Sequence, residues 1–218
     1  MVQFHSAAPF FHMNSYKVDP DAYLERAKAR FEEDKFESLF YAAFELRCFV
    51  EQRQAQYVEA QEEYLRTIPR AWKLSESFKR LQSTYDREQI QALTWEVDGS
   101  PSFQMYFVPV TKRILDMTVR LDNLRHAQKQ YHPANDQWWT ETKHRIADLY
   151  TQCWLCAQGN MLAPALVDKD KFIGEVAVRI AYRDQDTQTG IPNAGMTGRL
   201  RVEYLESPPE TWNCDLEI

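Results

Sequence analysis

The chain has 218 residues, of which 44% are hydrophobic and 13% aromatic, so it can bury a substantial core and an intrinsically disordered protein is excluded. The formal net charge of −6 excludes a protein that coats duplex nucleic acid non-specifically, because that affinity comes from neutralised phosphates. The sequence contains no apolar run of about 18 residues and its N-terminus does not read as a secretory signal, so we expect a cytoplasmic protein without membrane contact.

The first half of the chain predicts helices. Residues 1–18 lack periodicity and are expected to form an N-terminal arm, after which Asp19 or Asp21 can cap a helix that runs to about Glu33. The next helix carries the strongest core pattern in the chain, with apolar residues at three- and four-residue intervals: Phe36, Leu39, Phe40, Ala43, Leu46, Phe49 and Val50. Its polar continuation is expected to project from the body until Pro69, and a third helix is expected at about residues 70–85.

A β-hairpin and two further helices are expected next. The β-prone runs IQALTWEV and FQMYFV flank a turn-rich segment, which predicts a hairpin at about residues 90–108. The following helix has the buried seam Met117, Leu121 and Leu124. Asn135 or Asp136 can then cap a helix that runs from Gln137 to about Ala157, with Gly159 suited to end it.

The C-terminal part differs in kind. FIGEVAVRIAY and RLRVEYL alternate apolar with charged residues, which indicates a pair of half-buried antiparallel strands. Their long connection, residues 184–198, is a candidate for contact with a protein partner, as are the strands themselves. We therefore expect a mainly α protein with three parts: an arm at 1–18, a helical bundle with an inserted hairpin at 19–160, and a β appendage at 161–218 packed on the bundle.

Cys153 and Cys156 form a closely spaced pair, which could be redox active or half of a zinc site. Both fall on the apolar stripe of the predicted last helix, together with Ile146 and Leu149, and no second close pair accompanies them. Buried core thiols are the favoured interpretation, and we expect neither a metal nor a cofactor.

Arg125 and His132 are the residues whose spacing points to chemistry. In one continuous helix, seven residues return to within roughly 20° of the starting direction, so both side chains would share a face with Lys129 between them. Histidine exchanges protons near neutral pH, and arginine is a permanent cation that fits phosphate oxygens. Two alternatives stay open: Asp122 could pair with Arg125 on the helix surface, and His132, which precedes Pro133, could be only an end residue.

Two stretches resemble HEPN domains. DAYLERAKARFEEDKFESLFYAAFELRCFVEQ is similar to their opening pair of helices, and VPVTKRILDMTVRLDNLRHAQKQYHP is similar to the helix that ends in Arg, four to six residues, then His. Six residues separate Arg125 from His132. The family often has Asn or Asp directly after the Arg, where this chain has His126.

The resemblance implies a metal-independent endoribonuclease that works as a homodimer, in host defence or a toxin–antitoxin pair. His132 would be the general base and Arg125 would stabilise charge on phosphate oxygens. Lys129 could hold a neighbouring phosphate, and Glu45 could orient Arg125 or be an ordinary surface residue. The alternative is a catalytically inactive HEPN-like scaffold or protein-binding module, which the acidic net charge and the loop at 184–198 favour.

Overall fold

The computed structural model describes residues 16–60, 76, 79, 81, 88–97, 100–125, 131–164 and 199–212. The described part is mainly helical, as predicted, and contains a small three-stranded antiparallel sheet. The arm before residue 16, most of the helix predicted at 70–85, the strand predicted at 172–182 and the loop at 184–198 lie outside the described residues.

The first two helices form a pair joined by a tight turn. Helix α1 spans Pro20–Glu32 and α2 spans Phe36–Ala60. Of the two predicted caps, Asp19 is the one used: its Oδ1 accepts a hydrogen bond from the backbone N–H of Ala22 at 2.9 Å. Asp34 in the connecting turn has a φ of 52°, the left-handed region that Asp tolerates better than most residues.

Helix α2 is the centre of the core. It contacts α1 and also the two later helices, α3 (Lys112–Leu121) and α4 (Gln137–Ala157). Leu46, Phe49 and Val50 are fully buried, which confirms this part of the predicted apolar pattern. Phe36, at the first position of the helix, was predicted to lie in the core but is 42% exposed. Cys153 and Cys156 of α4 are fully buried as well, which confirms their interpretation as core thiols.

The predicted hairpin is present, and a third strand pairs with it. Strand β1 (Ile90–Val97) pairs antiparallel with β2 (Ser100–Phe107), with a register shift between Trp95 and Glu96. On its other side β1 pairs antiparallel with β3 (Arg199–Leu205), with Leu93 opposite Val202. The strand predicted at RLRVEYL is therefore confirmed, and the structure places it in the sheet of the hairpin.

The expectation that one continuous helix carries both Arg125 and His132 is wrong. Thr111 caps α3, which ends at Leu121, and a 3-10 helix at Asp122–Arg125 follows it. His132 lies in non-helical chain, which agrees with the restriction that Pro133 places on the preceding residue. Helical periodicity therefore does not put these two side chains on one face.

No helix in the described ranges combines the length and the hydrophobicity that a membrane crossing requires.

Candidate functional site

His132 is held by a carboxylate. Its Nδ1 lies 2.8 Å from Oδ2 of Asp136, four residues later, and the histidine side chain is 13% exposed. An ionised carboxylate can only accept a hydrogen bond, so Nδ1 carries the proton and donates it. In the neutral imidazole this leaves the lone pair on Nε2. The second ring nitrogen is therefore the atom that can take a proton from a ligand.

Asp136 has a second function in the same geometry. It is the N-cap of α4, and its Oδ1 accepts a hydrogen bond from the backbone N–H of Trp138 at 2.9 Å. The pKa of Asp136 is lowered from its ordinary value, first by that backbone N–H and then by the hydrogen bond from His132. The carboxylate is thus ionised at neutral pH, and each of its oxygens has one donor.

Two tryptophans at the start of α4 fix the plane of the imidazole. The ring of Trp138 stacks on His132 with centroids 4.2 Å apart and planes 8° apart, and Trp139 meets Trp138 edge to face at 4.7 Å. Trp139 in turn stacks on Phe36 of α2 at 4.2 Å. Both tryptophans pack against the core. The histidine is therefore connected through aromatic contacts to the first turn of α2.

The backbone of this turn is also tied to α4. The indole Nε1 of Trp139 donates to the carbonyl oxygens of His132 at 3.3 Å and Pro133 at 3.1 Å. The backbone N–H of Asp136 donates to the Pro133 carbonyl at 2.9 Å. Side chain and main chain of His132 are both positioned by the beginning of a long helix, which gives the ring a defined place.

The other predicted site residues are placed less completely. Arg125 ends the 3-10 helix, but its side chain and the whole of Lys129 lie outside the described residues. That the side chains of Arg125 and Lys129 lie close to His132 therefore stays a prediction. Asp122, the alternative partner of Arg125, forms an ion pair with Arg47 of α2.

Glu45 is buried and interacts with α1, so its interpretation as an ordinary surface residue is wrong. Its carboxylate accepts a hydrogen bond from Nε of Arg26 at 3.0 Å. The guanidinium of Arg26 lies over the ring of Tyr16 at 4.1 Å and over that of Tyr23 at 4.7 Å. Glu45 thus holds the guanidinium of Arg26, which contacts Tyr16 in the segment before α1. The expected role of Glu45 in orienting Arg125 stays a prediction.

Asp136 contacts His132, whereas the sequence predicted for it only helix capping. The signal for its second contact is the spacing: His132 and Asp136 are four residues apart, with Pro133 between them and Asp136 at a helix start. A turn that ends in a capped helix brings such a pair together, whereas the helical periodicity applied to Arg125 and His132 gives no indication of it.

A second polar group lies in the core. Arg53 of α2 is buried, and it donates through Nε to the hydroxyl of Tyr57 at 3.0 Å and through Nη2 to the carbonyl oxygens of Cys156 and Gly159. The Tyr57 hydroxyl donates to the carbonyl of Val108. These hydrogen bonds connect α2 to the carbonyl end of α4 and to the chain after β2, so we interpret this group as a structural clamp.

Comparison with protein-family models, with curated proteins and with solved structures gave no match.

The chemistry that the His132 site can support is proton transfer. A base within hydrogen-bond reach of a ligand, oriented by a third group behind it, is the arrangement that general acid–base catalysis and nucleophile activation use. His132 has the orienting group, a flat aromatic support and partial exposure. Permanent cations in the neighbouring sequence, from Lys112 to Lys129, give this region of an acidic chain a local positive bias.

Proposed function

We propose that the protein is a HEPN-like, metal-independent endoribonuclease in which His132 is the general base. The observation that carries the proposal is the 2.8 Å contact between His132 Nδ1 and Asp136, which leaves Nε2 as the proton acceptor. The resemblance of the sequence around Arg125 and His132 to the HEPN motif supplies the substrate class.

The reaction starts at a ribose 2′-hydroxyl. Nε2 of His132 takes the hydroxyl proton, the 2′-oxygen attacks the adjacent phosphorus, and the bond from phosphorus to the 5′-oxygen breaks. The products are a 2′,3′-cyclic phosphate and a 5′-hydroxyl. The 5′-oxygen takes a proton from solvent, and the imidazolium releases the proton of the 2′-hydroxyl to solvent, which regenerates the base. Arg125 would stabilise charge on the non-bridging oxygens and Lys129 would hold a neighbouring phosphate. DNA lacks the 2′-hydroxyl and is not a substrate.

The test is cleavage of RNA in the presence of a metal chelator. We expect the wild-type protein to cut a labelled single-stranded RNA, to leave ends with a 2′,3′-cyclic phosphate, and to leave the matching DNA intact. His132→Ala should reduce the rate by at least about a hundredfold, the contribution typical of a general base. His144→Ala is the matched control, because His144 is an exposed histidine of α4, eight residues after Asp136. Equal cleavage by the wild-type and His132→Ala proteins would refute the assignment.

The proposal includes a homodimer in a defence or toxin–antitoxin setting, since HEPN nucleases form their site across two subunits. Light scattering should give twice the chain mass. A mixture of Arg125→Ala and His132→Ala chains should recover part of the activity, because one composite site of the mixed dimer keeps both groups. A monomer that cleaves RNA at full rate would remove the dimer from the proposal.

A protein-binding module is the second candidate, and the exposed aromatic residues of α2 favour it. Tyr41 is 58% exposed and Phe44 is 45% exposed, three residues apart on the same helix. Aromatic residues of this kind anchor protein interfaces. The combination of intact RNA in the cleavage assay with loss of a purified partner complex in Tyr41→Ser/Phe44→Ser would favour this function over catalysis.

A further inference from the structure

Asp136 has one carboxylate oxygen that the capping of α4 does not use. A helix N-cap needs a single side-chain oxygen, and Asp136 Oδ1 fills that need by accepting from Trp138 N–H at 2.9 Å. Oδ2 points to a different group, the Nδ1 of His132, at 2.8 Å. Capping therefore uses only Oδ1 of Asp136, and Oδ2 accepts the hydrogen bond from the imidazole.

We infer that Asp136 is a positioning residue for His132: it fixes the Nδ1–H tautomer and, with the stacked ring of Trp138, aims Nε2 at the substrate. The inference rests on the proposed function, since it assigns to Asp136 a role in that same proton transfer. Asp136 is not itself a catalytic residue, because it acts on the substrate only through the histidine.

The two restraints on the ring are complementary. The hydrogen bond to Asp136 sets the rotation of the imidazole within its plane, and the face-to-face contact with Trp138, with planes 8° apart, sets the plane itself. In free neutral histidine both tautomers are populated, and only one of them offers a lone pair at Nε2. A ring held in that tautomer starts each turnover with its acceptor in place.

A serine at position 136 separates capping from positioning. Serine is a good N-cap, so Asp136→Ser keeps an acceptor for the Trp138 N–H, but its short side chain lacks the oxygen that reaches Nδ1. Asp136→Asn keeps a neutral oxygen for one of the two donors and replaces the other oxygen by an amide nitrogen. Asp19→Ser is the matched control, because Asp19 caps α1 in the same way.

The first readout is the tautomer, measured from the nitrogen chemical shifts of His132 on the high-pH plateau where these shifts no longer change with pH. The signals are assigned by comparison with His132→Gln. We expect Nδ1–H in the wild type and in Asp19→Ser, and a shift to mainly Nε2–H in Asp136→Ser. A purely structural carboxylate would leave this tautomer unchanged.

The second readout is the kinetics of RNA cleavage. We expect Asp136→Ser to lower kcat at least about tenfold with KM within about twofold, the size of effect that groups supporting a reacting side chain show. Asp136→Asn should lie between that variant and the wild type, and Asp19→Ser should match the wild type. An Asp136→Ser protein with the wild-type tautomer or the wild-type kcat overturns the positioning role alone, whereas a wild-type protein that leaves RNA intact overturns the proposed function and the role together.

Discussion

Two side chains of α2 show how differently single buried groups are satisfied. Arg53 is buried and donates to Tyr57 and to two carbonyls, whereas Gln54 beside it is 1% exposed and neither its Oε1 nor its Nε2 has a hydrogen-bond partner among the described residues. A buried polar group without a partner costs about 1–3 kcal/mol. Gln54 therefore lowers the stability of a helix whose other buried residues raise it.

Gln54→Leu is expected to raise the free energy of unfolding by about 1–2 kcal/mol, because it removes two unsatisfied polar atoms and keeps the side chain close in size. Urea unfolding of both proteins measures the difference. Gln52→Leu, at a half-buried position of the same helix, is the control and should stay within about 0.5 kcal/mol. A Gln54→Leu protein that unfolds at lower urea would show that the amide is hydrogen-bonded in solution.

The thiols of Cys48, Cys153 and Cys156 are expected to react slowly at neutral pH. Burial, followed by the negative charges of Glu51 and Glu45, raises the pKa of Cys48 to about 11, and burial raises the pKa of Cys153 and Cys156 above the ordinary thiol value. Only the thiolate reacts with iodoacetamide. Labelling of Cys48, followed by peptide mass spectrometry, should be slow at pH 7 and accelerate roughly tenfold per pH unit up to about pH 9. A plateau below that pH would contradict the raised pKa.

At the scale of the elements, local signals in the sequence sufficed for helix starts and for the hairpin. Asp19 and Asp136 are caps whose side chains bond within three residues, and the β1–β2 turn is contained in a short segment, so propensity and pattern identify both. The β1–β3 pairing joins segments that are far apart in the chain, which no local pattern encodes. The His132–Asp136 contact depends on the turn around Pro133, where helical periodicity no longer holds.

Gly159 lies just after the end of α4 and has a role there that the sequence did not predict. It was expected to end α4, which ends at Ala157 with Gln158 as the cap. A Cβ at Gly159 would lie 3.0 Å from the backbone nitrogen of Val108 and 3.2 Å from its Cβ, so the residue is needed for the close approach of the two segments.

Gly159→Ala is expected to cost about 1–3 kcal/mol of stability, because the added methyl group forces the chain after α4 away from the chain after β2. Thermal and urea unfolding give the value. Gln158→Ala, at the neighbouring position, should change stability by less than about 0.5 kcal/mol. Equal stabilities of the two variants would mean that the segments separate without cost.

At the scale of the whole molecule, the Arg53 clamp joins parts that are distant in sequence. Through Tyr57 it reaches the carbonyl of Val108, which follows β2, and directly it reaches the carbonyls of Cys156 and Gly159 at the end of α4. A cation at the carbonyl end of a helix is favoured by the helix dipole. Arg53 and Tyr57, both buried, therefore take part in linking α2, the end of α4 and the segment after β2.

Arg53→Met should lower the free energy of unfolding by roughly 3 kcal/mol, because it removes the buried hydrogen bonds that Arg53 donates to Tyr57, Cys156 and Gly159 while filling most of the same space. Arg145→Met, at an exposed arginine of α4, is the control and should stay near the wild type. Unfolding monitored separately by far-ultraviolet circular dichroism and by tryptophan fluorescence should remain a single transition in wild type and separate in Arg53→Met. Unchanged stability in Arg53→Met would show that the clamp is dispensable.

The place of β3 in the sheet has a consequence for biosynthesis. Ile90 has its partner at Leu205, so a ribosome releases β1 and β2 long before the strand that completes them exists. During that interval β1 offers an open row of backbone donors and acceptors, which invites pairing with another nascent chain. We therefore expect chains truncated before β3 to aggregate more readily than chains that contain it.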